Sequence, residues 1–228
     1  MWALLATTAL AFTPGVHRAL AERAVALEQA EEPGIDARRF VAAVTAEDWD
    51  LPRKWTRWHH YYNPDFPVHS LWRRPSEARV AWLAERLSGD DVWAMAGLLA
   101  HHLQDMASPP HVVPVAHGLG DDFESYDFRS LVAEATGDPV VILPPPDAQR
   151  AAAQETLAAL AEPMACADGP VPWSEVWIAG DGWGRHGPER FGHIPGCEAA
   201  TAAFAQARIE DALSWTRAII RYAGSTRS

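Results

Sequence analysis

The residues best suited to chemistry are histidines and a carboxylate at one end of an apolar segment. The string HHLQDMASPPH spans positions 101–111 and contains His101, Asp105 and His111. On a helix, His101 and Asp105 project from one face about a turn apart, where an imidazole and a carboxylate can bind the same ion. A buried unpaired carboxylate is costly, and a bound metal ion would offset that cost. Ser108 and two prolines then end the helix and allow His111 to return to the same end.

Further nitrogen and oxygen donors lie on both sides of this string. Such a set without thiolate is typical of zinc in hydrolytic sites. The alternative is a helical bundle with hydrogen-bonded core histidines, since a single histidine on an apolar helix is more often a core residue than a ligand. The candidate ligands are His17, Asp48, His60, His101, Asp105, His111, His117 and Glu124. We interpret four other histidines as residues behind the ligands or on the surface: His59, His102, His186 and His193.

The elements that must position these residues are helical. Apolar residues recur at helical spacing over most of the chain and strand patterns are nearly absent, which predicts an all-α, single-domain helical bundle. The predicted helices are 13–32, 36–45, 75–87, 90–106, 121–136, 146–165 and 198–223. Residues 139–143 look extended, but the prolines that follow favour a loop over a sheet. Long connections at 52–72, 108–120 and 170–197 are segments where we expect a site to be built.

Composition narrows the class of protein. The chain has 228 residues, of which 48% are hydrophobic, enough to fill one compact core. Its 19 basic and 30 acidic residues give a formal charge of -11, which argues against a protein that binds long phosphate backbones. The two cysteines, Cys166 and Cys197, allow either one disulfide or two buried thiols, and they are too few for a four-cysteine metal site.

The start of the chain has the features of a targeting segment. Residues 1–11 form an apolar run that ends in Ala-Leu-Ala, the small-x-small pattern that signal peptidase reads. This pattern predicts a cleaved signal segment followed by one domain over 12–228, and therefore a secreted or periplasmic protein. The alternative is a frayed apolar N-terminus, because the run is short and has no basic residue ahead of it. No other stretch approaches the roughly twenty apolar residues of a membrane span.

The histidine string and a second loop resemble the zinc-dependent phospholipase C and single-strand-specific nuclease superfamily, whose members are all-helical and carry three zinc ions in a cleft. HHLQDMASPPH keeps the His, Asp and His of the family core as His101, Asp105 and His111. HYYNPD at 60–65 is similar to the family's H-F-Y-D-P-D loop, which indicates the second histidine of the pair, His60, as the ligand.

The resemblance also implies a ligand at the mature N-terminus. The family binds one zinc through the amino nitrogen and carbonyl oxygen of its first mature residue, usually Trp, and through a nearby histidine. In the nuclease branch that histidine is the sixth mature residue. Cleavage after Ala11 would make Phe12 the first residue and His17 the sixth. Phenylalanine in place of tryptophan leaves the backbone ligand atoms unchanged.

Two acidic ligands complete the set that the resemblance implies. Upstream of the HYYNPD loop we expect Asp48, with Asp50 as the alternative. After His117 we expect Glu124, because two glycines disfavour a helix that would join His117 to Asp121. Asp121 remains the alternative, since its spacing from His117 matches the family's pattern.

Carried over residue by residue, the resemblance implies three zinc ions, with Asp105 as a bridge between two of them. The first would be bound by Asp48, His60, His101 and Asp105, the second by Phe12, His17 and Asp105, and the third by His111, His117 and Glu124. Metal ions a few ångströms apart lower the pKa of a bridging water and hold the oxygens of a phosphodiester during in-line displacement. Asp48, beside that water, could act as the general base.

These expectations describe a zinc-dependent phosphodiester hydrolase of the phospholipase C type. A phospholipid head group is the expected substrate, with transient membrane-surface contact and no obligate protein partner, and nucleic acid is less favoured because the chain is acidic. Aromatic residues near the ligands could enclose a choline-like group, stack a base or pack the core: Trp55, Trp58, Tyr61, Tyr62, Phe66, Trp72 and Phe123. The alternatives are a single-strand nuclease of the same fold and a catalytically degenerate zinc-binding helical module.

Overall fold

The computed structural model describes residues 12–49, 60–65, 75–113, 115, 122–138, 140–180 and 184–227, with the backbone alone at 49, 75, 90 and 124. Helices dominate, so the chain is of the all-α class, as the periodicity predicts. The helices are α1 (Pro14–Glu28), α2 (Ala37–Val44), α3 (Ala46–Trp49), α4 (Pro75–Ala84), α5 (Val92–Met106), α6 (Pro109–Val112), α7 (Asp122–Ser125), α8 (Phe128–Glu134), α9 (Pro145–Ala161) and α10 (Glu198–Ser225). In these ranges no helix has both the length and the apolar character needed to cross a membrane.

Helix α5 lies at the centre of the fold because it is apolar on most of its faces. It packs against α2 and α10, and α1 also packs against α10. At Gly97 the helices α2 and α5 approach closely, since a Cβ there would lie 2.4 Å from the carbonyl oxygen of Phe40. Only glycine permits this approach. The burial of α5 continues to its C-terminal turn, so the polar residues of that turn lie inside the protein.

A buried ion pair joins the last helix to the first. The carboxylate of Glu28 on α1 is fully buried and accepts hydrogen bonds from Arg217 Nε at 2.5 Å and Arg221 Nε at 2.6 Å, both on α10. Burial raises the pKa of Glu28, but the hydrogen bonds from Arg221 and Arg217 lower it more, so its net pKa lies below the usual value. This pair fixes α1 against α10.

Several helices end or break earlier than the periodicity predicts. The predicted helix 146–165 ends at Ala161 because Pro163 follows, and proline disfavours helical backbone in the residue before it. The predicted helix 121–136 is divided into α7 and α8, with Asp127 at the position before the second helix. Helices α1 and α4 also end about one turn early.

The segment after α9 contains two antiparallel hairpins that the sequence pattern did not predict. Strand β1 (Met164–Cys166) pairs with β2 (Gly169–Val171), and β3 (Trp177–Ile178) pairs with β4 (Arg185–His186). These strands were not predicted because strands of two or three residues are too short to show an alternating pattern. A disulfide between Cys166 and Cys197 ties β1 to the start of α10, which decides between the two alternatives for the cysteines. Residues 140–144 form no strand, as predicted.

Candidate metal centre

Six of the predicted ligands converge from five separate segments of the chain. They are His17 on α1, Asp48 on α3, His60 in the loop 60–65, His101 and Asp105 on α5, and His111 on α6. All are buried except His60, whose side chain is 13% exposed. Such a concentration of buried imidazoles and carboxylates requires partners for each polar atom.

The local structure explains how the chain returns to the same place. Pro109 and Pro110 begin α6 immediately after α5, which turns His111 back toward the end of α5. Hydrogen bonds hold the loop that carries His60 against α6. The backbone nitrogen of Tyr62 donates to the carbonyl of His111 at 3.1 Å, and the Asn63 amide donates to the carbonyl of Val112 at 2.8 Å.

The carboxylate of Asp105 is the centre of the cluster. Its Oδ1 lies 3.4 Å from Nε2 of His17, whereas its Oδ2 lies 2.7 Å from Nδ1 of His60 and 3.4 Å from Nε2 of His101. Each oxygen therefore faces a different set of imidazoles, which is the arrangement expected of a carboxylate that bridges two ions. At the edge of the cluster, Oδ1 of Asp48 lies 3.9 Å from Nε2 of His101.

Two of these separations fit zinc better than they fit hydrogen bonds. Two ligand atoms at about 2.0–2.2 Å from a tetrahedral ion lie about 3.3–3.6 Å apart, and the His17–Asp105 and His101–Asp105 contacts are both 3.4 Å. Within the described part of the chain, neither Nε2 of His17 nor Oδ1 of Asp105 has a hydrogen-bond partner. The contact of His60 with Asp105 at 2.7 Å is instead a hydrogen bond, in which a proton lies where an ion would otherwise bind.

Two groups of donor atoms could hold an ion. His17, Asp48 and His101 form one, and His60, His101 and Asp105 form the other, with the atoms of each group within 4.8 Å of one another. Imidazole and carboxylate donors without thiolate suit zinc. The grouping differs from the one that the resemblance implies. Asp48 falls in the same group as His17, Asp105 falls outside that group, and His101 belongs to both groups.

His111 is oriented by the loop that it contacts. Its Nδ1 donates to the carbonyl oxygen of His60 at 3.0 Å, and because a carbonyl only accepts, Nδ1 carries the ring proton. Nε2 is then the nitrogen that can bind a metal. This orientation turns the ligating atom of His111 away from Asp105 and is compatible with its expected place at a third ion.

The cluster has shifted pKa values with identifiable causes. Burial lowers the pKa of His17 and of His60, but the nearby carboxylate of Asp105 outweighs it, so both pKa values are raised. Burial takes the pKa of His101 well below its usual value despite the attraction of Asp105. Burial raises the pKa of Asp105, but His101 and His111 lower it more, and it ends well below its usual value. Asp105 is therefore an anion, and its negative charge favours a bound cation.

Two polar networks behind the ligands were not predicted from the sequence. Oε1 of Gln104 lies 2.6 Å from Nδ1 of His17, and Ser76 Oγ lies 3.1 Å from Nδ1 of His102, which agrees with the interpretation of His102 as a residue behind the ligands. One signal was available, because Gln104 is a polar residue three positions after His101 on an apolar helix. Ser76 gave no comparable signal.

The remaining predicted ligands are described only in part. Phe12 is fully buried, and its ring packs edge-on to the imidazole of His17 with centroids 5.9 Å apart. Of Glu124 the structure describes the backbone, which lies in α7. Three predicted or alternative ligands lie outside the described residues: Asp50, His117 and Asp121.

The described aromatic residues near the site belong to the core. Tyr62 and Phe123 are buried, and Phe123 packs against Phe12 with ring centroids 5.8 Å apart. Tyr61 is also buried and lies over the imidazole of His111 at 5.1 Å. These contacts favour the packing interpretation for the three residues. Five further side chains named above lie outside the described residues: Trp55, Trp58, His59, Phe66 and Trp72. His186 and His193 are exposed, as predicted.

No family model, curated protein or solved structure matches this chain. The metal centre is therefore inferred from its own side chains. Buried imidazoles and carboxylates in these two groups could hold a metal ion.

Proposed function

We propose that the protein is a zinc-dependent phosphodiester hydrolase of the phospholipase C type. The observation that carries the proposal is the carboxylate of Asp105, which has an imidazole nitrogen 3.4 Å from each of its oxygens, from His17 and His101. Among the described residues Nε2 of His17 and Oδ1 of Asp105 have no hydrogen-bond partner, which weighs against a core of hydrogen-bonded histidines. Divalent cations between them would supply the missing partners.

The side chains of the cluster would have different roles in binding the metal ions and in the reaction. Zinc, when bound, supplies Lewis acidity and lowers the pKa of a coordinated water. Asp105 would hold two ions because its oxygens face different imidazoles. His17, His60 and His101 would act as neutral ligands, which leave net positive charge to attract an anionic phosphodiester. The carboxylate of Asp48, 3.9 Å from Nε2 of His101, is the candidate to accept a proton from the attacking water.

The substrate class that we propose is a phospholipid head group. The formal charge of -11 disfavours long nucleic acids, whose binding depends on many contacts to basic side chains. A single phosphodiester needs only the local charge of the metal cluster. A third ion at His111, His117 and Glu124 would complete the set of three zinc ions, and contact with a membrane surface would be transient.

We also propose that the protein is exported. The disulfide between Cys166 and Cys197 supports an oxidising compartment. Cleavage after Ala11 would free the amine of Phe12, whose ring already packs against His17. N-terminal mass determination on natively expressed protein should find Phe12 as the first residue. Retention of residues 1–11 would contradict both the cleavage and the terminal zinc ligand.

Chelator-reversible hydrolysis of bis(p-nitrophenyl) phosphate tests the reaction class. His101→Asn removes a central ligand, whereas His186→Asn makes the same replacement at an exposed histidine and is the matched control. We expect the wild type and the control to hydrolyse the diester, to lose activity in EDTA and to regain it with zinc. We expect His101→Asn to lose at least about 100-fold, the upper range for residues that merely support a ligand. Equal activity in both variants would contradict the proposal.

Natural substrates then separate the alternatives. Hydrolysis of phosphatidylcholine vesicles with release of phosphocholine supports the phospholipase C assignment. Hydrolysis of single-stranded DNA without action on the vesicles would make the protein a single-strand nuclease instead. Bound zinc without chelator-sensitive turnover of any diester would leave a metal-binding helical module.

A further inference from the structure

A chain of buried hydrogen bonds runs from the last helix to the metal centre through Gln104. Nε2 of Gln104 donates to Oγ1 of Thr216 at 2.9 Å, and Thr216 Oγ1 donates to the carbonyl oxygen of Ala212 at 2.6 Å. On its other side, Oε1 of Gln104 lies 2.6 Å from Nδ1 of His17. Because Gln104, Thr216 and His17 are fully buried, bulk water does not compete for these bonds.

The direction of each hydrogen bond follows from the carbonyl of Ala212, at the end of the series that is farthest from His17. A backbone carbonyl only accepts, so Thr216 gives its single hydroxyl proton to Ala212. The hydroxyl oxygen then accepts from the amide nitrogen of Gln104, which leaves the amide oxygen to face His17. An amide oxygen also only accepts. Nδ1 of His17 therefore carries the ring proton, and Nε2 carries the lone pair that can bind a metal.

The opposite side of the His17 ring agrees with this tautomer. Nε2 lies 3.4 Å from Oδ1 of Asp105. If Nε2 carried a proton, it would form a hydrogen bond to Oδ1 of Asp105 with a distance of about 2.7–2.9 Å. Nδ1 of His60 forms such a bond to the other oxygen, Oδ2, at 2.7 Å. Across the described ranges neither atom has a hydrogen-bond partner, so two acceptors face each other in a buried place. A cation between them would remove that conflict.

We propose that Gln104 is a positioning residue that holds His17 in the Nδ1-protonated tautomer and thereby presents Nε2 to a zinc ion shared with Asp105. This inference rests on the zinc binding of the proposed function but not on the phosphodiester chemistry. In the motif by which the chain resembles the zinc-dependent superfamily, the position of Gln104 can be any residue. The positioning role is therefore inferred from Gln104 and Thr216 of this chain alone. An apolar side chain at position 104 would be easier to bury. The amide of Gln104 is therefore better explained by its hydrogen bond to His17 than by packing.

Four variants separate positioning from general stability. Gln104→Leu removes the acceptor for Nδ1, and Thr216→Val removes the group that fixes the amide's orientation. Thr216→Ser keeps the hydroxyl and is the rescue variant. Thr156→Val is the matched control, because Thr156 is also fully buried and its hydroxyl also accepts one side-chain hydrogen bond, from Arg208 at 2.9 Å.

Zinc affinity, measured by competition with a chelating indicator, is the first readout. We expect Gln104→Leu and Thr216→Val to weaken the binding of one zinc ion by about 10- to 100-fold, the usual effect of losing a residue that orients a histidine ligand. Thr216→Ser and Thr156→Val should bind zinc as the wild type does. Equal affinity in Gln104→Leu and Thr156→Val would overturn the inference.

Nitrogen-15 NMR of labelled histidine is the second readout, and a purely structural role would not move it. In the zinc-loaded wild type, His17 should show a protonated Nδ1 and a metal-bound Nε2, with the signal assigned by its loss in His17→Gln. Metal on Nδ1 would overturn the inference, and so would a wild-type protein that binds no zinc. Zinc bound with the expected variant pattern, but without diester hydrolysis, would refute the proposed function and uphold the role of Gln104.

Discussion

Replacing Asp105 with asparagine tests the bridging carboxylate, because the change keeps the side-chain shape and removes the negative charge that two ions would share. Zinc at about 1,000 times its dissociation constant adds about 4.1 kcal/mol per site to the free energy of unfolding. A chain of 228 residues has an unfolding entropy of about 0.48 kcal/mol/K at the midpoint. Dividing the first quantity by the second gives an expected rise in Tm of about 9 °C for each ion bound at that concentration.

In Asp105→Asn we expect the zinc-dependent rise in Tm to fall below about 2 °C, because both ions lose a charged ligand. The matched control is Asp211→Asn, which removes a carboxylate whose described partner is Arg208, at 2.7 Å on the same helix. Scanning calorimetry after EDTA treatment, with and without added zinc, measures the effect. The reasoning is refuted if Asp105→Asn shows the same zinc-dependent rise as the wild type and Asp211→Asn.

Three further substitutions test the framework around the site. Cys166→Ser should lower the free energy of unfolding by about 3–4 kcal/mol, because the disulfide closes a loop of 31 residues and reduces the conformational entropy of the unfolded chain. A change under about 1 kcal/mol, measured by urea unfolding, would contradict this. Glu28→Gln should lower the free energy of unfolding by about 3 kcal/mol at neutral pH. Since the folded-state pKa of Glu28 is lowered, the stability difference between wild type and Glu28→Gln should be constant above about pH 5 and disappear as pH falls through that pKa. A stability difference that does not change with pH would count against the ion pair. Gly97→Ala should cost about 1–3 kcal/mol, because its Cβ would meet the Phe40 carbonyl, and an unchanged Tm would show that α2 moves freely.

The sequence was most informative where one helix carried several signals together. His101 and Asp105 lie four residues apart on an apolar segment, and this local spacing alone placed them on one buried face. The prolines after them predicted the turn that returns His111. Their convergence with Asp48 and His60 was expected from donor chemistry and from the resemblance, because no local pattern links residues more than 40 positions apart.

What the sequence did not reveal depends on tertiary packing. Thr216 lies on a helix 112 residues after Gln104, and nothing in its neighbourhood marks it as the residue that orients an amide. The two hairpins between α9 and α10 were missed because their strands are too short to alternate. At the split between α7 and α8, Tyr126 packs against Phe128 and Phe191, and tertiary contacts of this kind can override helix propensity.

Anomalous X-ray diffraction at the zinc absorption edge tests the central claim most directly. In crystals of the protein prepared with zinc, the account predicts one anomalous peak between Oδ1 of Asp105 and Nε2 of His17, and a second bounded by Oδ2 of Asp105, His60 and His101. A map without an anomalous peak at bonding distance from either oxygen of Asp105 would contradict the account.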